Sequence, residues 1–343
     1  MINKIPIKLI KMAGICLGLF LQTFAYATGS EDPKSIFDVM NHEEVLDITI
    51  ETDLDSIRAR RKTKEEELAT ILSFRDEEGK LQEWEAQLSL RGKFRRMNCD
   101  VPPLKVDFKK SDLEEAGLQP YDDFEIVTQC VEEDAIAREL LLKEYLAYRL
   151  YNEITDYSYR VQLVRITFKN PETGAEVQQW GFLIEDTAQL SARLQVEEVE
   201  RMGLPVDSFH QDHLKVMTVF QHMIGNADWD LTKARNVKFF RKKEGRLIPI
   251  AYDFDFSGLV DAPYAYRPND TLRFAKPSTY IEPLQAGSEL EPTLRYYQSK
   301  RKSILTLVRK LKLLPYNERK TIIDYLEAFF KTDALIAEKG PGI

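Results

Sequence analysis

Residues 223–258 read MIGNADWDLTKARNVKFFRKKEGRLIPIAYDFDFSG, and the expected architecture is built around this stretch. Asp253 and Asp255 flank Phe254. On a strand, residues two apart share a face, so both carboxylates would project one way while Phe254 and Phe256 anchor the other side. Hard oxygen ligands in that arrangement suit a divalent cation such as Mg²⁺ or Mn²⁺. Upstream, Asn226, Asp228, Asp230 and Asn236 surround a helix-to-strand junction, adding further oxygens and a candidate base for a substrate hydroxyl. Metal-assisted phosphoryl transfer is the chemistry to which this set points.

The flanking patterns supply the elements. Residues 212–224 have helical spacing and stop at Gly225, a residue suited to a C-cap. Residues 236–240 and 247–256 read as a hairpin across Glu244-Gly245. Towards the N-terminus, residues 45–50, 86–90, 104–108 and 124–127 alternate apolar and polar side chains as half-buried strands do. Between the first two, residues 53–72 are charge-dense and begin with a helix, and the basic run 58–62 reads as a solvated face. Residues 132–152 form a helix with Ile136, Leu140, Ala147 and Tyr151 on one stripe. Residues 161–168 and 178–184 flank the turn signal 170–174 and pair as a hairpin. Residues 263–292 read as an extended loop, of a length that is often functional, and from 292 onward the chain is mostly helical with a break near Leu314-Pro315.

At the start of the chain, Lys4, Lys8 and Lys11 stand without an acid, followed by an apolar run over 12–24 and then Ala25-Tyr26-Ala27. This is the layout of a secretory signal peptide cleaved after Ala27, with export to the periplasm, the cell envelope or the extracellular space. The competing reading, an uncleaved anchor, needs ~20 apolar residues, more than the run provides. No later run is apolar enough to span a bilayer. Removing residues 1–27 takes the formal charge from -8 to -11, which argues against generic binding of nucleic acid or anionic membrane. It also leaves Cys99 and Cys130 in an oxidising setting, where a disulfide is the natural expectation. Such a bridge would stabilise the fold by about 3 kcal/mol on the chain-entropy argument. With four histidines in the chain and none near the cysteines, a zinc site has little support.

At Gly225-Asn226, Asp228, Asn236-Val237-Lys238 and Pro249 to Asp255, the chain resembles the spore-coat protein H (CotH) type of secreted atypical kinase. Leu90-Arg91-Gly92-Lys93, leading through Pro102-Pro103 to Lys105-Val106-Asp107-Phe108, is similar to that family's Arg-Gly loop and following basic strand. The resemblance covers about residues 91–258. It implies an α+β, two-lobed, protein-kinase-like fold. Residues 28–186 would be a β-rich N-terminal lobe including one long helix and a hinge-like strand. Residues 187–343 would be a mostly helical C-terminal lobe carrying the metal-site hairpin.

The resemblance also implies ATP and divalent metal bound between the lobes, and a protein acceptor with a serine or threonine hydroxyl. Asp228 matches the catalytic-loop aspartate, Asn236 the metal-ligating asparagine and Asp253 the metal aspartate, with Asp255 as a further ligand or brace. An acceptor hydroxyl needs an oriented carboxylate, and a bridging metal neutralises charge on the transferred phosphoryl group. Seven residues separate Asp228 from Asn236, where the kinase pattern has about four. Either the loop is expanded or Asp230 takes part of the work; the competing reading is that both aspartates cap a helix or turn.

For the phosphates, Arg91, Lys93 and Lys105 are the candidates, while Arg95 and Arg96 individually read as an ordinary solvated basic loop. A kinase positions its strand lysine with a helix glutamate, for which Glu139 and Glu144 are candidates and Glu133 is not excluded. Residues 180–186, including Glu185, stand in the order of an interlobe hinge whose backbone would meet adenine; an edge strand entering a helix reads the same way. Two other functions share these residues: a catalytically silent kinase-like binding or envelope-assembly protein, and a metal-dependent hydrolase. The oligomeric state is open.

Overall fold

In the computed structural model the alternating segments pair edge to edge until they close on themselves. The structure describes residues 33–42, 44–62, 67–130, 133–265 and 290–339. The expected signal peptide and most of the expected 263–292 loop lie outside the described residues. Strands β1 (Leu46–Glu51), β2 (Leu68–Arg75), β3 (Leu81–Leu90), β4 (Leu104–Phe108), β5 (Asp123–Thr128), β6 (Val161–Lys169) and β7 (Glu176–Ile184) form a closed barrel in the order β1-β2-β3-β4-β5-β7-β6. Neighbours are antiparallel except at the seam, where β6 runs parallel to β1 with Leu46 opposite Val164 and Glu51 opposite Lys169.

The seam overturns the expected two-lobed kinase-like fold with a β-rich N-terminal and a helical C-terminal lobe. Pairing β6 with β1 removes both sheet edges, so one mixed α+β unit, Pro33–Ile343, is built around a barrel. A parallel pairing between segments so far apart leaves no local signal. Strand β2 was also absent from the sequence reading; it pairs with β3 over its whole length.

The barrel is filled by Ile48, Ile50, Leu72, Phe74, Leu88, Val106, Phe124, Ile126, Ile166 and Phe168, the inward half of each alternation. Short helix α1 (Ile36–Met40), held by a Ser35–Asp38 capping box, adds Ile36, Phe37 and Met40 to this core. Helix α2 (Leu54–Ala59) starts where the Asp53 carboxylate accepts from the Asp55 and Ser56 N–H groups. Helix α3 (Phe94–Asn98) lies in the β3–β4 connection, and α4 (Lys110–Glu115) follows β4.

Helix α5 (Asp134–Ile154) buries Leu140, Ala147 and Tyr151 as expected, but Ile136 is 41% exposed, beside the first buried residue, Ala137. Helix α6 (Thr187–Leu194), two-residue strand β8 (Glu197–Glu198) and helix α7 (Gln211–Met223) follow. Strands β9 (Val237–Arg241) and β10 (Leu247–Ala251) form with β8 a small sheet, and helices α8 (Glu291–Lys310) and α9 (Tyr316–Lys339) complete the described chain. Among the described residues no helix is long and apolar enough to cross a membrane.

One large core joins the helices to β5, β6 and β7. At its centre Phe254 is fully buried, 4.7 Å between ring centres from Tyr148 and 5.4 Å from Phe220. Burying such a ring stabilises by about 2–3 kcal/mol and fixes the residues on either side of it.

Candidate functional site

The end of α7 starts the site. Gly225 takes a left-handed φ of 63° and donates to the His222 carbonyl, and the Asn226 N–H donates to the Gln221 carbonyl at 2.8 Å. The positive φ favours glycine here, and a side chain at this position would in addition displace the Tyr325 hydroxyl. Fully buried Asn226 donates to the Gln221 side chain at 2.9 Å and accepts the Asp228 N–H at 3.0 Å, which sets the direction in which Asp228 leaves the helix.

Asp228 and Asn236 then meet despite the long gap between them. The Asn236 amide donates to the Asp228 carbonyl at 2.7 Å and to its Oδ2 at 3.0 Å, and Arg235 Nε lies 3.3 Å from Oδ1. The extra residues fold out of the way as a turn: Asp230 and Arg235 exchange two backbone hydrogen bonds of 3.0 Å, and Asp230 Oδ1 accepts the Lys233 N–H at 2.9 Å. That backbone bond holds the Asp230 carboxyl below its ordinary range. Asp230 is not among the residues lining the cavity described below; the turn-capping reading describes its position.

Asp253 and Asp255 do not sit on a strand, because β10 ends at Ala251 and Asp253 adopts a left-handed φ of 61°. The alternation premise fails here, yet both carboxylates reach the same cavity. The Asp253 N–H donates to the Tyr148 hydroxyl at 2.8 Å, fixing this unusual backbone against α5. Asp255 is 3% exposed, and its Oδ2 has no partner among the described residues. Burial, reinforced by the charges of Asp253 and Glu144, pushes its carboxyl up to about 8, against the pull of Arg95 and a hydrogen bond from Tyr264.

The cavity, of about 180 Å³, is lined by the oxygen-bearing residues Asp228, Asn236, Asp253 and Asp255 together with Arg91, Gly92, Lys93 and Arg95. Lys93 is exposed, whereas the Arg95 side chain is 11% exposed and pairs at 2.9 Å with Glu144, itself 2% exposed. Burial raises the Glu144 carboxyl against the opposing Arg95 charge. Burial also works against the Arg95 charge, but Glu144 and the other anions around it outweigh that and keep the guanidinium protonated. Arg95 Nη2 further donates to the Thr128 carbonyl at 3.0 Å, and the Thr128 hydroxyl donates to the Val101 carbonyl at 2.7 Å. Cys99 and Cys130 are disulfide-bonded, which ties the end of the segment that carries the cations to the residues just after β5.

Of the remaining candidates, Lys105, Glu139 and Glu185 fall elsewhere. Lys105 does not line the cavity; its ammonium lies 3.0 Å from Asp107 and 2.8 Å from Asp123, and these two partners hold it protonated against a burial effect that favours loss of the proton. Arg91 lines the cavity while pairing with Glu125 on β5. Glu139 is half-buried on α5 and lines neither this cavity nor the next. Glu185 is consumed by structure: Oε2 accepts the Arg160 N–H at 2.6 Å, and Arg193 Nε donates to Oε1 at 3.1 Å. It borders a smaller cavity of about 50 Å³ with Tyr159, Asp186 and Tyr252, which shares Tyr148 and Ile184 with the first.

Arg95 was missed because an arginine on a charged loop carries no sign of burial. Glu144 was one of several open candidates, and its spacing held a usable signal: it lies four residues from both Leu140 and Tyr148, on the buried stripe of α5.

The donors fit a hard cation. Asn236 commits its amide nitrogen to Asp228, leaving its oxygen, and Asp255 Oδ2 is buried without a partner. Among the described residues, the acids whose ligand atoms all lie within 4.8 Å of one another are Asp122, Asp123 and Asp186. These are already engaged, Asp122 with Lys110, Asp123 with Lys105 and Asp186 with the Ala188 N–H. Among the described residues, no three acids of the central cavity bring their ligand atoms that close together. No family model matches the chain, and no curated protein matches it.

Proposed function

We propose that the central cavity is a metal-dependent phosphotransfer site of the kind found in CotH-type kinases, moving the γ-phosphoryl group of ATP to a hydroxyl acceptor. The observation that carries this reading is the joint lining of one cavity by Asp228, Asn236, Asp253 and Asp255 and by Arg91, Lys93 and Arg95. Anionic phosphates are held by the cationic wall, with Arg95 fixed in place by Glu144. Asp228, oriented by Asn226 and Asn236, accepts the proton of the acceptor hydroxyl as its oxygen bonds to phosphorus and the bond to the nucleoside diphosphate breaks. Asn236, Asp253 and Asp255 would hold Mg²⁺ or Mn²⁺, which when bound offsets the negative charge of the phosphoryl group. The smaller cavity bordered by Tyr252 neighbours the first, with Tyr148 and Ile184 in the walls of both. The Cys99–Cys130 disulfide supports an exported protein acting in an oxidising compartment.

A second reading has one specific observation in its favour. Both Asp228 oxygens are already engaged, by Asn236 and Arg235, as they would be in a catalytically silent nucleotide-binding protein. Incubating the chain with labelled ATP and Mn²⁺ or Mg²⁺, beside Asp228→Ala and Asp253→Ala variants, separates the two. Transfer that both substitutions abolish supports the phosphotransferase. Binding without transfer supports the silent protein, and no nucleotide binding with either metal removes both.

A further inference from the structure

The turn that absorbs the long Asp228–Asn236 gap is a built feature. Leu231 at its start is buried, the Thr232 carbonyl accepts the Gly203 N–H at 2.7 Å, and Asp230 and Arg235 close it with their paired backbone bonds. Ala234 and Asn236, on either side of Arg235, both hold left-handed φ values, 49° and 53°. For alanine that conformation costs about 1 kcal/mol or more and persists only where the surroundings impose it. The outcome is that Arg235 is placed beside Asp228: its side chain is 50% exposed, its Nε lies 3.3 Å from Asp228 Oδ1, and Asp228 is its ion-pair partner among the described residues.

The cations assigned to phosphates, Arg91, Lys93 and Arg95, all come from a different segment, the β3–β4 connection. Arg235 instead flanks the carboxylate that must reach the acceptor hydroxyl. An extended peptide advances about 3.3 Å per residue, so a guanidinium in contact with the base lies within one or two residues of the acceptor position. A planar, half-exposed guanidinium is suited to two-pronged recognition of a carboxylate.

We infer that Arg235 is a specificity-determining residue that reads an acidic side chain next to the acceptor serine or threonine, so that the acceptor is an acidic peptide segment. The acceptor role rests on the phosphotransfer reading above. When the peptide carboxylate takes the guanidinium, Asp228 Oδ1 loses its ion-pair partner and becomes available to the hydroxyl proton. The substrate thereby releases the base from the contact that occupies it in the free chain.

The test measures binding of two fluorescent serine peptides, one with aspartates flanking the serine and one with lysines, to the full chain and to its Arg235→Glu and Arg235→Gln variants. Nucleotide affinity is measured in parallel by calorimetry with Mn²⁺ and a non-hydrolysable ATP analogue. The expected result is a loss of about tenfold in affinity for the acidic peptide in Arg235→Glu, a smaller loss in Arg235→Gln, and a gain for the basic peptide. Nucleotide affinity is expected to stay within about twofold. Equal binding of both peptides by the wild type overturns the inference, as does a loss of nucleotide affinity matching the loss for peptide. If the charge swap holds while no form binds nucleotide, the acidic-peptide site stands and the phosphotransfer reading falls. Arg235→Gln keeps the test valid should the reversal of charge prevent folding.

Discussion

Arg95 and Glu144, both lining the cavity, meet at 2.9 Å, one from a five-residue helix in the β3–β4 connection and the other from the middle of α5. Neither charge is tolerable there alone, since an unpaired ion so deeply buried costs several kcal/mol. Arg95→Ala is therefore expected to destabilise the fold by about 3–5 kcal/mol, whereas Arg95→Met combined with Glu144→Gln recovers most of that loss. Urea unfolding of the single and double variants checks this; additive effects would show that the pair is not coupled.

Substituting Asp255 should have opposite effects with and without metal. Its carboxylate is buried, and Oδ2 has no partner among the described residues, so Asp255→Asn is expected to raise the thermal midpoint of the metal-free chain. The same change is expected to abolish the further rise that Mn²⁺ produces in the wild type. A metal-induced rise that survives in Asp255→Asn would place the cation elsewhere.

Asp186 gives a pH signature. Burial pushes its carboxyl from 3.8 up to about 6, against the Ala188 N–H that stabilises the ionised form. Below the unfolded value both states hold the proton and nothing changes. Between the two values the unfolded chain ionises first, so stability falls as pH rises, and above about 6 the whole penalty is present. Asp186→Asn, which can still cap α6, is expected to be more stable than wild type by about 1–2 kcal/mol at pH 7, after discounting for solvent screening, and to converge with it as the pH falls below the unfolded value of 3.8. Chemical denaturation across that range reads the difference.

Cys99 and Cys130 tether the cationic loop to the end of β5 beside the Thr128 carbonyl that Arg95 uses. Cys99→Ser is expected to lower stability by about 3 kcal/mol, and to weaken nucleotide binding several-fold because Arg91, Lys93 and Arg95 lose their common anchor. Unfolding and calorimetry with and without a phosphine reductant provide the check. A Cys99→Ser, Cys130→Ser double variant should not respond to the reductant.

Legibility followed sequence distance. Gly225, Asn226 and Asp228 could be read because a helix end, a turn and the residue it orients are contiguous. The contact between Asp228 and Asn236 was doubtful in the sequence, since spacing alone does not show that Asp230 and Arg235 close the intervening residues into a turn. Asp253 and Asp255 were assigned to a strand that ends before either, and they meet the cavity through a left-handed residue and a buried phenylalanine instead. Lys105 does share a strand face with Asp107, as the alternation requires, but that face meets Asp123 on β5 rather than the cavity.

Local order was within reach of the amino-acid sequence alone: most of the strand alternations, helix α7 with its glycine end, the paired cysteines and the oxygen-rich residue types between Asn226 and Asp255 follow from short-range periodicity and residue chemistry. Tertiary structure decided the rest. Closure of the barrel depends on β6 finding β1, and the cationic wall depends on Arg95 finding Glu144. Both are long-range choices, governed by the removal of sheet edges and the pairing of buried charge, and neither leaves a periodic trace in the chain.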